Sequence, residues 1–240
     1  MLLPLIGVGA AALTSVAGYH TMGPTSQLYG RNFTGLARGT RQLALTYDDG
    51  PNDPYTGHLL DVLAKHDVRA TFFLIGRYVA QRPEIVRRHV EFGNAIGNHT
   101  WDHPNLIFST PHSLRSELGR TSQAIADACG LRPKLFRPPF GGRRPGVLQA
   151  ARAMDMTPIM WNVTCYDWKP TTSAAVEQNA QRQIRGGDVI LMHDGGHKGF
   201  GADRSHSVTA TDHLIRKYKD EGYTFVTVPE MLTSVGVKTL

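Results

Sequence analysis

Seven short apolar runs set the strongest limit on what this chain can fold into. They are QLALTY (42–47), ATFFLIG (70–76), NAIGN (94–98), KLFRP (134–138), TPIMWNV (157–163), DVILMH (188–193) and TFVTV (224–228). Apolar runs this short, without polar alternation, suit strands covered on both faces. Between them the apolar residues change to helical spacing. Leu59, Leu60, Val62 and Leu63 mark one helix, and Ile85, Val86 and Val90, entered through Pro83, mark a second. Ser113, with Glu117 downstream, opens a third that carries Leu114, Leu118 and Ile125 and stops at Gly130. GVLQAARAMDM, AAVEQNAQRQIRGG and DHLIRKYKDEG, the last ending at Gly222, supply three more. Strand and helix in steady alternation predict an α/β fold with a parallel sheet, closed as a barrel or open and doubly wound. No Gly-rich dinucleotide fingerprint or P-loop interrupts the pattern, which weakens the nucleotide-binding open-sheet readings.

Length and composition narrow the class further. With 240 residues and 41% apolar side chains the chain supports one generous domain or two small ones, and disorder is excluded. The formal charge of +6 is spread out, with no basic run beyond pairs such as Arg87-Arg88 and Arg143-Arg144. Without a nucleic-acid motif beside it, this basicity reads as solubility or weak attraction to an anionic cell envelope. The first 18 residues, MLLPLIGVGAAALTSVAG, carry no charged side chain. They resemble a secretory h-region, with small residues near Ala17 and Gly18 for cleavage, although the basic n-region is missing. Export is therefore expected, with an uncleaved anchor or a core helix as the lesser alternatives. Residues 19–40, rich in Gly, Thr and Ser, read as a linker or surface-hugging arm, leaving 41–240 as the globular part. Cys129 and Cys165 are the only cysteines and show no CxxC spacing; whether they pair is left open.

The polar residues gather at the strand ends. Asp48 and Asp49 in TYDDG follow the first run, His99 and His103 in HTWDH the third, and Arg137 in RPPFGG the fourth. Asp167 and Trp168 follow the fifth, and His193 and Asp194 the sixth. In a parallel barrel the C-terminal strand ends share one site. Turn chemistry accounts for Gly50 to Asp53 but not for two adjacent, mutually repelling carboxylates before them. A division of labour does: one carboxylate on a metal, its neighbour free to take a proton. His99 and His103, four apart, can share one ion if the segment turns, yet HTWDH lacks the Glu of a zinc-protease helix. The third ligand must come from elsewhere, and two His with one Asp leave a zinc ion an open position.

Taken in order, TYDDG, HTWDH, RPPFGG, YDW and LMHD resemble the five motifs of the polysaccharide deacetylase family. The family is also called carbohydrate esterase family four or the NodB-homology family. The likeness runs from about Gln42 to Pro229. It implies a deformed (β/α) barrel of about seven parallel strands in a single catalytic domain, and a divalent metal, most often zinc, with cobalt or another ion as alternatives. It also implies removal of acetyl groups from N-acetylglucosamine polymers, namely chitin oligomers or peptidoglycan, or from xylan in some members. Carried over by position, Asp49, His99 and His103 would hold the metal, Asp48 would be the general base and His193 the general acid. The backbone N–H of Phe140 would help stabilise the oxyanion. Arg137 would lie against Asp48, Asp167 would in turn hold Arg137, and Leu191 and Trp168 would wall the pocket for the acetyl methyl group. Phe140 stands where Tyr is common in the family, and Thr164 where the fourth motif often begins with Asp. The expected protein is a monomer that acts on an acetylated glycan and has no nucleic-acid partner.

The other histidines get plainer readings: His58, His66, His89 and His213 on solvated helix faces, and His197 and His206 in the Gly-rich stretch DGGHKGFGADRSH. That stretch is an ordinary surface loop or a mobile loop lining a glycan groove. Two rivals accompany the N-deacetylase reading. One is O-deacetylation of xylan at the same site; the other is a catalytically silent glycan-binding protein, against which the retention of Asp48 and His193 argues.

Overall fold

The computed structural model describes residues 15–236, so the candidate export signal over 1–18 lies outside the described residues except for its last four. Residues 15–22 are helical (α1). From there the elements run β1 (Gln42–Gly50), α2 (Tyr55–Lys65), β2 (Thr71–Leu74), α3 (Gly76–Gln81), α4 (Pro83–Glu91), β3 (Ala95–Asn98), α5 (Pro111–Cys129) and β4 (Leu135–Phe136). They continue with α6 (Val147–Arg152), β5 (Thr157–Pro158), β6 (Val163–Thr164), α7 (Ser173–Gln183), β7 (Asp188–His193), α8 (Ser205–Asp220), β8 (Thr224–Phe225) and α9 (Val228–Ser234).

The sheet explains the apolar runs. Strands β5-β4-β3-β2-β1-β7-β6 pair in that order, and β8 pairs the start of β1. Every pairing is parallel. The result is seven parallel strands curled into a half-barrel within a single domain, as the resemblance implied, with the two-residue β8 as an eighth strand off that path. Strand β1 lies at its centre and alternates two buried faces. Leu43, Leu45 and Tyr47 pack outward against the helices, in a cluster with Leu59, Leu60, Leu63, Leu214 and Ile215. Ala44 points inward, to a second cluster with Phe73, Ile159, Met160, Trp161, Val189 and Leu191. Both faces are apolar because both are covered.

One run behaves differently from its expectation as a single strand. TPIMWNV splits into β5 and β6, and the half-barrel opens between them. Phe33 occupies part of that opening, its N–H bonding Pro158 O at 3.0 Å and its carbonyl accepting from Met160 N at 2.8 Å. Asn162 then turns away to bond Asp188 and Val189, so backbone pairing that one strand would have supplied comes from residues 33–36 instead. The helix starts also differ in two cases, one of them α8, which begins at Ser205 and so takes in His206, ahead of the DHLIRKYKDEG run. Helix α5 is capped by Thr110, whose side chain accepts from Ser113 N, and ends at Gly130 in the left-handed conformation. Glu117, read as part of that start, is turned elsewhere.

The two cysteines are both free thiols, Cys165 deep in the core. His89 corrects another expectation. Instead of facing solvent it is fully buried, its ring 4.2 Å from that of Phe72, and neither ring nitrogen has a hydrogen-bond partner. Burial, with Arg88 nearby, pushes its pKa down to about 3. A value below that of the unfolded chain means that stability is lost as pH falls below about 6.5, at up to about 1.4 kcal/mol per pH unit. Urea unfolding of wild type and His89→Leu between pH 7 and pH 4.5 should therefore show a stability gap that shifts in favour of the variant as pH falls. A gap independent of pH would assign the acid sensitivity to other groups.

Candidate active site

A bulge at the end of β1 resolves the problem of the adjacent carboxylates. Successive residues of a regular strand point to opposite faces, which would send Asp49 outward. The β1–β2 register shifts between Asp48 and Gly50, and Asp49 sits at φ 73°. This turns both carboxylates into the same cleft. Gly50 and Gly195 permit it, because a Cβ on Gly50 would collide with the Asp194 carboxylate and one on Gly195 with the Asp49 carbonyl.

Asp49 meets the two histidines there. Its Oδ1 is 3.5 Å from His99 Nε2 and 3.2 Å from His103 Nε2. The three ligand atoms all lie within 4.8 Å of one another, and all three residues are buried. Asp49 Oδ1 is buried without a hydrogen-bond partner, which is how an oxygen reserved for a cation looks. The histidines are prepared for the same role. His99 Nδ1 bonds Arg137 O at 2.8 Å, so its proton belongs there and Nε2 keeps a free lone pair. Burial pushes the His103 pKa down to about 3, against the pull of Asp49, leaving a neutral ring. The residues present therefore fit a divalent metal.

Local structure places HTWDH with equal care. Thr100 and His103 both have positive φ, 69° and 58°, a conformation that costs about 1–3 kcal/mol for such residues unless the surroundings enforce it. Asn98 Oδ1 accepts from Thr100 N, and Glu117 Oε2 accepts from both Trp101 N at 2.8 Å and Asp102 N at 2.9 Å. Glu117 is thus the buried brace of the metal loop rather than a helix cap.

Asp48 has a different partner. Arg137, wholly buried, donates from Nη1 to Asp48 Oδ1 at 2.7 Å and to Thr46 Oγ1 at 2.9 Å. Its guanidinium lies 4.1 Å over the Phe73 ring and 5.5 Å from that of Trp161. The remaining N–H groups reach the carbonyls of Ile159 and Met160.

Asp167 does not hold Arg137, which corrects that expectation. It accepts from the backbone N–H of His193 at 2.7 Å and pairs with His193 Nδ1 at 2.8 Å, while Ser207 Oγ donates to it at 2.8 Å. The reason is topological: Asp167 follows β6, which neighbours β7, whereas Arg137 follows β4 on the other side of the curl. Burial works against a charged His193, but Asp167, with Asp49 and Asp48 further off, outweighs it and raises the pKa to about 9. His193 is charged at neutral pH, with Nε2 left for the cleft. Beside it, Asp194 is pushed up to about 7 by burial and by the charges of Asp49 and Asp48.

Asp48, Asp49, His99, His103 and His193 line one cleft of about 610 Å³ with Phe140, Trp161, Trp168 and Leu191, and Arg137 and Asp167 stand behind them. Phe140, at φ 59°, sets its ring edge-on to His103 at 4.5 Å. Trp168 lies 5.3 Å from His193. Every candidate residue read from the sequence reaches the cleft or directly holds one that does. Sequence reading missed Trp161, whose Nε1 bonds Thr164 Oγ1 at 2.9 Å, and Glu117; neither carries a local signal that separates it from core or cap. It also left undecided the stretch after His193, where Gly196, His197, Lys198 and Gly199 line the cleft. Among the described residues no helix is long and apolar enough to cross a membrane.

Two imidazoles and a carboxylate around one point, beside a second carboxylate with its own counter-cation, suit an ion that works on a substrate rather than one that only holds a fold. Comparison with known proteins agrees. A model of the polysaccharide deacetylases matches residues 36–159, and the chain belongs to the polysaccharide deacetylase family. It is 34% identical over 197 residues to a peptidoglycan-N-acetylglucosamine deacetylase of Listeria monocytogenes, covering 81% of this chain but 40% of that longer protein. A chitooligosaccharide deacetylase of a Bradyrhizobium species is 35% identical over 208 residues, 84% of this chain and 94% of the relative. Among solved structures, a peptidoglycan N-acetylglucosamine deacetylase bound to a substituted N-oxidanyl-benzamide superimposes with TM-score 0.77 at 35% identity, covering 83% of this chain and 91% of that one. A pseudoenzyme of the same family from Bacillus anthracis matches equally well, TM-score 0.77 at 30% identity, over 84% of this chain and 69% of its own.

The Asp167–His193 pair makes a direct prediction. In Asp167→Asn the His193 pKa should fall from about 9 to near or below its usual value of about 6.5, read by NMR titration of the metal-free protein. Because the folded value is raised, wild type should hold extra stability below about pH 6.5 that fades as pH climbs through about 9, and the variant should lack that window. An unmoved titration would mean that Asp167 only packs against the ring.

Proposed function

We propose that this protein is a secreted, zinc-dependent N-deacetylase of N-acetylglucosamine-containing glycan, peptidoglycan or chitin oligomers, working as a monomer through a catalytic domain over 41–240. The observation that carries the reading is the convergence of Asp48, Asp49, His99, His103 and His193 on one cleft, with Asp48, His99 and His193 each held by a hydrogen bond to Arg137 or Asp167. The names of the relatives support the substrate class, and the uncharged first 18 residues support export. Because a well-matched relative is described as a pseudoenzyme, membership of the family does not by itself make a catalyst. The local chemistry has to support it.

Asp49, His99 and His103 would hold a divalent ion, which when bound would supply Lewis acidity to the acetyl carbonyl and lower the pKa of water towards neutrality. Asp48 takes the proton as water attacks the carbonyl carbon. Arg137 aims that carboxylate and limits its freedom to turn towards the metal. The backbone N–H of Phe140 is the oxyanion donor, a contribution of about 3 kcal/mol for a group of this kind. His193, charged and anchored through Nδ1, presents Nε2 to the departing nitrogen and gives it a proton, so the C–N bond breaks to release acetate and the free amine. Trp168, Leu191 and Trp161 form the apolar wall against which the acetyl methyl group rests. Acetylxylan is the second substrate to test, since an ester would use the same base and metal and depend less on the acid.

Three variants test the assignment. Asp48→Asn should keep its metal and lose turnover by about 10²–10⁴-fold, whereas His99→Ala should lose the metal itself, measured by metal analysis beside acetate release. His193→Ala should slow an N-acetyl substrate far more than an activated acetyl ester, because an amine leaving group needs the proton. Equal slowing of both would remove His193 from the acid role. Chelation should abolish acetate release from chitooligosaccharide and zinc should restore it; a chain that prefers acetylxylan in the same panel would move the reading to O-deacetylation.

A further inference from the structure

We propose that His197 is a positioning residue of the metal site: its ring N–H holds the outer oxygen of Asp49, so that the inner oxygen stays directed at the ion. The inference rests on the metal-site part of the reading above and not on the choice of substrate.

The two Asp49 oxygens are inequivalent. Oδ1 faces His99 and His103 and is buried without a partner, whereas Oδ2 faces His197 Nδ1 at 3.8 Å, an ion-pair distance. The orientation of the His197 ring is set by its neighbours. It lies 4.7 Å from the His103 ring and nearly parallel to it, at 19°, with the Phe140 ring standing across it at 5.1 Å and 82°.

The loop that carries His197 is built rather than loose. Arg77 Nη2 donates to His197 O at 2.5 Å, Tyr78 OH to Gly196 O at 3.1 Å, and Arg204 Nε to Gly195 O at 2.7 Å. Asn52, from the turn after β1, donates to the carbonyls of Asp194 and Ala202 and accepts from Gly201 N. Phe200 sits between Tyr78 and Arg82. These grips hold the loop by its backbone and by Phe200, and they leave the His197 imidazole facing Asp49 and His103, with its side chain 34% exposed.

The chemistry follows from what holds each ligand. His99 is locked by Arg137 O, and His103 is stacked and buried. Asp49 would otherwise be oriented by its bulged backbone alone, and a carboxylate free to rotate about χ2 exchanges its oxygens at the ion. Partners that orient metal ligands typically account for about 10–100-fold in metal affinity.

The test is the dissociation constant of zinc, and of cobalt, measured on the full chain by chelator competition. His197→Ala should weaken binding about 10–100-fold, with the melting temperature of the metal-free protein unchanged. His197→Gln, which keeps a side-chain N–H, should recover most of the affinity. His197→Phe, which keeps the stacked ring but has no ring N–H, should bind as weakly as the alanine variant. Wild-type affinity in His197→Ala would overturn the proposal, as would wild-type affinity in His197→Phe, which would reduce the residue to packing. If the alanine variant fails to fold, the Gln and Phe pair carries the same decision. Metal uptake without acetate release would overturn the deacetylase reading and leave this one standing; a wild-type chain that takes up no divalent ion would overturn both.

Discussion

Arg137 is the residue on which the rest of the site depends. Its side chain holds Asp48 at 2.7 Å, and its backbone carbonyl fixes the His99 ring. One residue therefore orients the candidate base and one candidate metal ligand, and couples β4 to β1 and β3 across the interior of the curl. The guanidinium is entirely buried, so its desolvation is costly, and it stays only because every face of it is used: carboxylate, hydroxyl, two carbonyls and two aromatic rings. Removing one member of such a buried pair typically costs about 3–5 kcal/mol, because the other charge is left stranded. A buried cation beside Asp48 also lets a second acidic residue, Asp49, sit next to it without either carboxylate being left uncompensated.

Backbone strain marks the same region. Among the described residues seven other than glycine have positive φ, and of these Asp49, at the end of β1, and Thr100, His103, Phe140 and Tyr166, in the loops, lie around the cleft. These conformations are held in place by specific contacts, such as Glu117 on the HTWDH loop and the packing of Gly50 and Gly195 that permits the Asp49 bulge. Strain of this kind is what makes adjacent or closely spaced residues, which regular structure would splay apart, face one point.

Much of the site was legible in the chain because motifs at strand ends survive reading in one dimension. TYDDG, HTWDH, RPPFGG, YDW and LMHD named the residues that meet in the cleft, and parallel topology explained why they would meet. The partners were less legible. Asp167 belongs with His193 and not with Arg137, since pairing depends on which strands are neighbours, and strand order is not written in the order of the motifs. His89 looked like a solvated residue because its helix is strongly polar elsewhere, yet it faces Phe72. Trp161 and Glu117 were hidden because an indole in an apolar run and a glutamate near a helix start have ordinary local explanations. The strand TPIMWNV broke where tertiary pairing with Phe33 replaced its own continuation.

The sequence by itself determined the periodicities: apolar runs too short for helices and covered on both faces, helices between them, and chemistry-bearing residues at the strand ends. Those follow from local hydrophobic spacing and turn chemistry, which are properties of neighbours along the chain. Only the tertiary structure decided the curl and its opening, the bulge that brings both carboxylates of TYDDG into one cleft, and the assignment of Arg137 to Asp48 and Asp167 to His193. It also placed His197 over Asp49. Each of these depends on which groups burial forces together and which counter-charges they find there, and contacts between residues as far apart as Asp48 and Arg137 leave no periodic trace in the sequence.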